Sequence, residues 1–258
     1  MQTFYTPAPI SATVDIVLGD VHFIAGDRDE TVVEVHPVDP SRELDVEAAE
    51  KVDVDFSGGV LTVEHPKLRT MFAKKFGAVR VRVELPTGSD VRAGTAQGEL
   101  LSQGRVGACR LKTAIGDIRV GRASTAGLRT SGGRVVLDHA TDRTDVTGNG
   151  DVRIRRVDGD AAVKSLGGDI AVGEIGTGTV DLNAVVGAVE VGVPEGTAVR
   201  LDAKSSTGRV RNGLETVGAP EPADRTVSVR ARCNGGDITV HRSARHTEQH
   251  GTPVRNRV

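Results

Sequence analysis

The chain has 258 residues, a formal charge of −2 from 33 basic and 35 acidic side chains, 32 glycines, two cysteines, six aromatics and no tryptophan. No apolar run approaches the roughly 18 residues of a membrane span, and the glycines follow no three-residue collagen period. Charges of both signs are mixed throughout, which argues against a nucleic-acid footprint and against wholesale disorder.

Valine (39) and isoleucine (9) far outnumber leucine (14). Branched Cβ atoms suit a pleated surface better than a helix, so composition points to strands. Residues 1–10 carry no basic region followed by an apolar stretch, and they hold two prolines. They do not read as a secretory signal, so a cytoplasmic protein is expected. Cys109 and Cys233 are then expected as free, buried thiols.

Residues 1–85 hold all six aromatics: Phe4, Tyr5, Phe23, Phe56, Phe72 and Phe76. Alternating patterns predict strands near 12–24, 31–36, 51–56, 60–64 and 79–85, with a hairpin turn at Gly58-Gly59. A short helix is expected over 42–50. This region reads as a β-rich N-terminal cap on the rest of the chain. The segment 67–77, with Leu68, Met71, Phe72 and Phe76 among lysines and an arginine, reads as a lid on that cap or on the first solenoid turn rather than as a basic amphipathic motif for an anionic membrane or a partner.

From residue 86 to 241 one pattern recurs: glycine, a polar residue, an aliphatic, any residue, then usually another aliphatic. Its glycines are Gly98, Gly116, Gly133, Gly150, Gly168, Gly187, Gly208 and Gly236. Steps between them are 17 to 21 residues, except a final step of 28 containing a polar stretch at 213–225 that reads as an inserted loop. Two residues after each glycine stand Leu100, Ile118, Val135, Val152, Ile170, Val189, Val210 and Ile238, all aliphatic. Five residues before stand Leu111, Leu128, Val163, Leu182, Ala203 and Ala231, with Val146 slipped by one. Neighbours alternate apolar and polar with period two, the strand signature.

A unit of about 18 residues cannot bury its own apolar face, whereas stacked copies about 4.8 Å apart bury a continuous one. Propeller blades need about 40 residues and are excluded. The expected fold is therefore all-β: a single-chain β-solenoid with the N-terminal β-rich cap, each turn stacked on the last in chain order. Residues 242–258 are polar and aperiodic, and are expected to form a disordered tail.

The segment Leu85-Pro86-Thr87-Gly88-Ser89-Asp90-Val91 is restated as Val193-Pro194-Glu195-Gly196-Thr197-Ala198-Val199. With the Gly-Asp-Ile/Val units at 116–118, 150–152, 168–170 and 236–238, nearly the whole chain resembles the bacterial DUF4097 family of β-strand-repeat proteins. The resemblance implies a right-handed β-helix-like solenoid, no catalytic residues and an adhesin-like role.

Candidate chemistry is sparse. Asp117, Asp151, Asp169 and Asp237 form a row that invites comparison with calcium-binding β-rolls. Those need Gly-Gly-x-Gly-x-Asp, and only Gly148-Asn149-Gly150-Asp151 comes near, without repeating. A structural row is expected, with no metal and no cofactor. Stacked carboxylates have the separations of a glycosidase pair by default, and the repeats lack an aromatic sugar platform, so an enzyme is disfavoured. The histidines show no metal spacing outside the terminal His246 and His250. There is no Gly-x-Ser-x-Gly elbow and no phosphate loop.

The reading is a non-enzymatic interaction or scaffold protein, with Asp117, Arg119, Arg134, Asp151, Arg153 and Asp169 as the interaction face. The expected partner is another protein or a surface, with no nucleic acid and no membrane insertion, and the chain as a monomer or small oligomer. A polymerising, cytoskeletal-type β-helix is the alternative, and a carbohydrate-active β-helix enzyme a more distant one.

Overall fold

The computed structural model describes residues 1–65, 76–214 and 225–243. Within them the protein is all-β apart from one helix, Glu43–Glu50. The repeats wind as a β-solenoid with two principal walls. The first wall is built from the strand that opens each turn two residues after its glycine. The second comes from the strand that closes the turn before the next glycine.

Along the first wall Leu100, Ile118, Val135, Val152, Ile170, Val189 and Ile238 stand in parallel register. Each is at most 1% exposed. Along the second wall Leu111, Leu128, Val146, Val163, Leu182 and Ala231 do the same. Burying an aliphatic side chain of this size contributes about 1.5–3 kcal/mol, so the two columns are the main source of stability. Cys109 and Cys233 are buried free thiols, and burial pushes the Cys109 thiol up to about 12.

The recurring glycine is required by stacking. A Cβ on Gly133 would lie 2.1 Å from the carbonyl oxygen of Gly116, and one on Gly116 would lie 2.0 Å from that of Gly98. Both glycines also have φ near +150° (152° and 144°), open essentially to glycine alone. Two side-chain roles then tie the turns together at this corner. Where the residue after the glycine is Asp117, Asp151, Asp169 or Asp237, its carboxylate accepts a backbone N–H of a neighbouring turn. A hydroxyl three residues before the glycine donates back to a glycine carbonyl: Thr130 Oγ1 to Gly116 O at 3.0 Å and Ser165 Oγ to Gly150 O at 2.9 Å. The thiol of Cys233 occupies the same place against Gly187 O at 3.0 Å.

Stacking in simple chain order holds through the middle and fails at both ends. At the N-terminal end the strands Ser11–Asp15 and Gly19–Gly26 lie inside, against Asp90–Gln97 and Leu100–Ile115. The later strands Val60–Glu64 and Val79–Pro86 lie outside them, also in parallel. The cause is local. Gly58 and Gly59, both at positive φ, make a tight hairpin that binds Asp53–Ser57 antiparallel to Val60–Glu64. A strand carrying its own capping partner must be outermost. The segment expected as a cap therefore supplies two solenoid turns as well as the cap.

On the first wall that cap is Glu30–Pro37, antiparallel to Val79–Pro86, and beyond it Gln2–Tyr5. Phe4 and Phe56, from the capping strands of opposite walls, meet with ring centroids 5.1 Å apart. The buried Asp45 of the helix accepts the Ala78 N–H at 3.0 Å and pins the helix to the outer turn.

At the other end the last strands in sequence, Arg225–Gly235 and Ile238–Arg242, insert between the turn at 170–193 and the earlier turn at 197–212. The long step from Gly208 to Gly236 spans this return. Most of the expected loop at 213–225, the lid at 67–77 and the tail at 242–258 lies outside the described residues. Arg242 itself closes the final strand, donating to Pro194 O and Thr197 O at 2.8 and 3.0 Å.

Candidate functional site

The predicted interaction face maps to one corner and the adjoining first wall. Asp117, Arg119 and Arg134 come together: Arg119 meets Asp117 and Glu99 at 3.1 Å each, and Arg134 meets Asp117 at 3.5 Å. Asp151 and Asp169 are joined by a different bond. Asp151 Oδ1 accepts the Asp169 N–H at 3.2 Å, and Asp169 Oδ1 accepts the Ala188 N–H at 2.7 Å. Asp237 does the same for Arg209 N at 2.9 Å. The row therefore satisfies backbone donors turn by turn, and much of the charge on this face is neutralised within the molecule. Arg153 points outward beside Val136 and Ala171. Among the described residues no group of three or more His, Cys, Asp or Glu side chains gathers as a metal site.

A second charged feature of the first wall links three turns. Arg156 grips Asp158 with Nε at 2.8 Å and Nη2 at 3.0 Å, and reaches Glu174 with Nη1 at 2.7 Å. His139 Nε2 lies 2.8 Å from Asp158. Burial works to raise the Asp158 pKa. Arg156 and His139 overcome it and hold the carboxyl below its ordinary value. This is an ion-pair network that ties neighbouring turns.

The second wall presents a different surface, one that reading the post-glycine columns did not reveal. Arg92 and Arg110 stand in register on adjacent turns, as do Lys112 and Arg129. Gly127, next in the Arg92–Arg110 row, has no side chain, and a depression of about 530 Å³ opens between these residues and Arg143. Among the described residues Asp145 is the one carboxylate in its lining, and Arg143 Nε already engages it at 2.8 Å. Like charges directly opposite on neighbouring strands destabilise a sheet. The sequence signal was present: Arg92 and Arg110 are six residues before a repeat glycine, Lys112 and Arg129 four before.

Fold and surface together define a β-solenoid with a basic depression on its second wall. The Toastrack DUF4097 family profile matches residues 13–241, and the chain belongs to that family. No curated protein matches it. Among solved structures it is similar to a candidate adhesin from Bacteroides fragilis NCTC 9343, at 13% identity and TM-score 0.51, covering 93% of this chain and 95% of that one. A candidate adhesin from Parabacteroides merdae ATCC 43184 gives 12%, 0.52, 93% and 94%. A candidate lipid-binding protein from Parabacteroides distasonis ATCC 8503 gives 14%, 0.51, 93% and 95%. At these identities the likeness shows the shared fold. Among the described residues no helix is long and apolar enough to cross a membrane.

Proposed function

We propose that this chain is a non-enzymatic interaction protein that holds an anionic partner, a protein or a surface-borne group, against the second wall. The observation that carries the reading is the depression lined by Arg92, Arg110, Lys112, Arg129 and Arg143, with Asp145 as its sole carboxylate among the described residues. Planar guanidinium groups present paired donors that match carboxylate, phosphate and sulfate oxygens, and an anion seated there relieves the like-charge contacts. The absence of aromatics from the described repeats disfavours base stacking, and with it a single-stranded nucleic acid. An adhesin-like role accords with such a surface, as does the naming of structural relatives as adhesins rather than enzymes.

The mixed-charge face of Asp117, Arg119, Arg134, Asp151, Arg153 and Asp169 is the second reading. It is favoured by its outward Arg153 and its length along the rod. One experiment separates the two. Retention of the protein on a sulfated-polysaccharide resin is compared with that of Arg110→Glu/Arg129→Glu and of Arg119→Glu/Arg153→Glu. Loss only in the first double variant supports the second wall, and loss only in the other moves the site to the first. Cosedimentation with phosphatidylserine vesicles distinguishes a lipid surface from a polymer. Fractionation of a full-length fusion tests the expected cytoplasmic location.

A further inference from the structure

The two ends of the rod are finished differently. On the second wall the N-terminal end closes with Asp53–Ser57, a five-residue antiparallel strand whose exposed Asp53 and Asp55 have the same sign. The other end closes with Thr197–Ser205, nine residues paired in parallel with Arg225–Gly235. Among the described residues no strand pairs with its outer side. Val199, Leu201 and Ala203 continue the apolar column but are only partly buried, while their neighbours Val227, Val229 and Ala231 are 3%, 1% and 0% exposed. Arg200, Asp202 and Lys204 face outward with alternating sign. A long, half-apolar edge of this kind is a template for another strand.

We propose that a second copy of this chain covers this edge, the two Thr197–Ser205 strands pairing antiparallel about a two-fold axis at Leu201. The register is set by parity and charge. A two-fold axis must pass through a residue, because an axis between residues would set inward side chains against outward ones. Leu201 is the midpoint of the strand, so all nine residues pair. Val199 then faces Ala203 of the second copy, Thr197 faces Ser205, and Leu201 meets Leu201. Arg200 faces Asp202 of the second copy, and the symmetry makes that contact twice. An axis at Asp202 would set Arg200 against Lys204, and an axis at Arg200 would set two guanidinium groups together. An axis at Ala203 keeps an opposite-charge pair but joins only five residues of the strand. Arg232 already engages Asp202 through Oδ2, so the new pair uses Oδ1.

The assembly joins two solenoid interiors into one and leaves a capped N-terminal end outward on each side. It is closed, a dimer and not a filament. It rests on the strand edge alone and is independent of the second-wall depression.

Sedimentation equilibrium of the full chain tests it, with a mass twice the 27.0 kDa of one chain expected. Arg200→Asp and Asp202→Arg each bring like charges face to face, and each alone is expected to weaken association by roughly tenfold or more. Arg200→Asp keeps the Arg232 contact, and circular dichroism verifies that both variants remain folded. Mixed in equal amounts, the two variants are expected to associate again, because every facing pair is then of opposite sign. A monomeric wild type would overturn the proposal, showing the edge open or covered by the chain's own residues 215–224 or 244–258. Filaments, or a dimer indifferent to both substitutions, would overturn it as well.

Discussion

Asp117 holds Arg134 by two different groups: Oδ1 accepts the Arg134 backbone N–H at 2.9 Å, and Oδ2 lies 3.5 Å from its guanidinium. The backbone bond recurs at Asp151, Asp169 and Asp237, whatever side chain stands on the next turn. A guanidinium contact is not common to the row, although Asp237 has one with Arg211 at 3.1 Å, so the bond to the backbone is the structural function that all four share.

Replacing Asp117 by Ala leaves a backbone donor without its partner and is expected to cost about 1–2 kcal/mol. Asn retains an oxygen for that donor and should recover most of the loss. Calcium or EDTA should move the melting temperature of the wild type by no more than about 2 °C, since an ion bound only by the native state would have to raise it. Urea denaturation of the two variants and calorimetry with and without calcium check these outcomes. A large calcium-dependent rise would show that the carboxylates serve an ion.

Gly133→Ala places a methyl group 2.1 Å from the Gly116 carbonyl oxygen at a φ of +152°. A loss of at least about 2 kcal/mol is expected, because backbone must move on two turns at once. Gly26, with no atom within 4 Å of an added Cβ, is the control. Gly26→Ala should change stability by no more than about 0.5 kcal/mol in chemical denaturation.

Val152 is 0% exposed and stacked on Val135 and Ile170, while the adjacent Arg153 is exposed. Val152→Asp buries a charge with no partner and should cost about 3–5 kcal/mol, enough to unfold the centre of the rod. Arg153→Asp should cost less than about 1 kcal/mol. Equal tolerance in thermal melts would refute the register.

Stability should fall on mild acidification. His65 Nδ1 accepts the Val17 N–H at 3.3 Å and Nε2 lies 3.3 Å from the Ala48 carbonyl, so the neutral ring is the one that fits. Burial lowers the His65 pKa, and burial likewise lowers that of His22, from the ordinary 6.5. Both folded-state values lie below the unfolded one, so the unfolded chain binds more protons. Stability is therefore full above the unfolded pKa and declines as pH drops through 6.5 toward the depressed values. Melting curves between pH 7.5 and 5 for the wild type and His65→Gln should show a shallower decline in the variant; an unchanged slope would remove His65 from the account.

The solenoid was legible from columns of residues. Period-two alternation and the glycine spacing mark the strands and their register through the middle of the rod, because each turn there repeats one local geometry. The signature Gly19-Asp20-Val21 belongs to the same column. Gly19 faces Gly98 across the stack, and Asp20 Oδ1 accepts the Glu99 N–H at 2.9 Å. Among the patterns of residues 1–85 it does not declare itself, since the next turn in space is about 80 residues away in the chain.

The order of amino acids thus dictates which residues face inward, where glycine must stand, and that copies stack. These are properties of one turn and its nearest equivalent, governed by side-chain period and backbone clearance. Which turn is last at each end is a matter of the folded chain, because it depends on the hairpin at Gly58-Gly59 and on the return of Arg225–Gly235 between earlier strands. Folding also brings Arg92, Arg110, Lys112 and Arg129 onto one surface while the charges around Asp117 neutralise one another. Parallel stacking brings residues 17 or 18 apart to within one strand spacing, and the sign of a charge in sequence does not reveal what that neighbour will be.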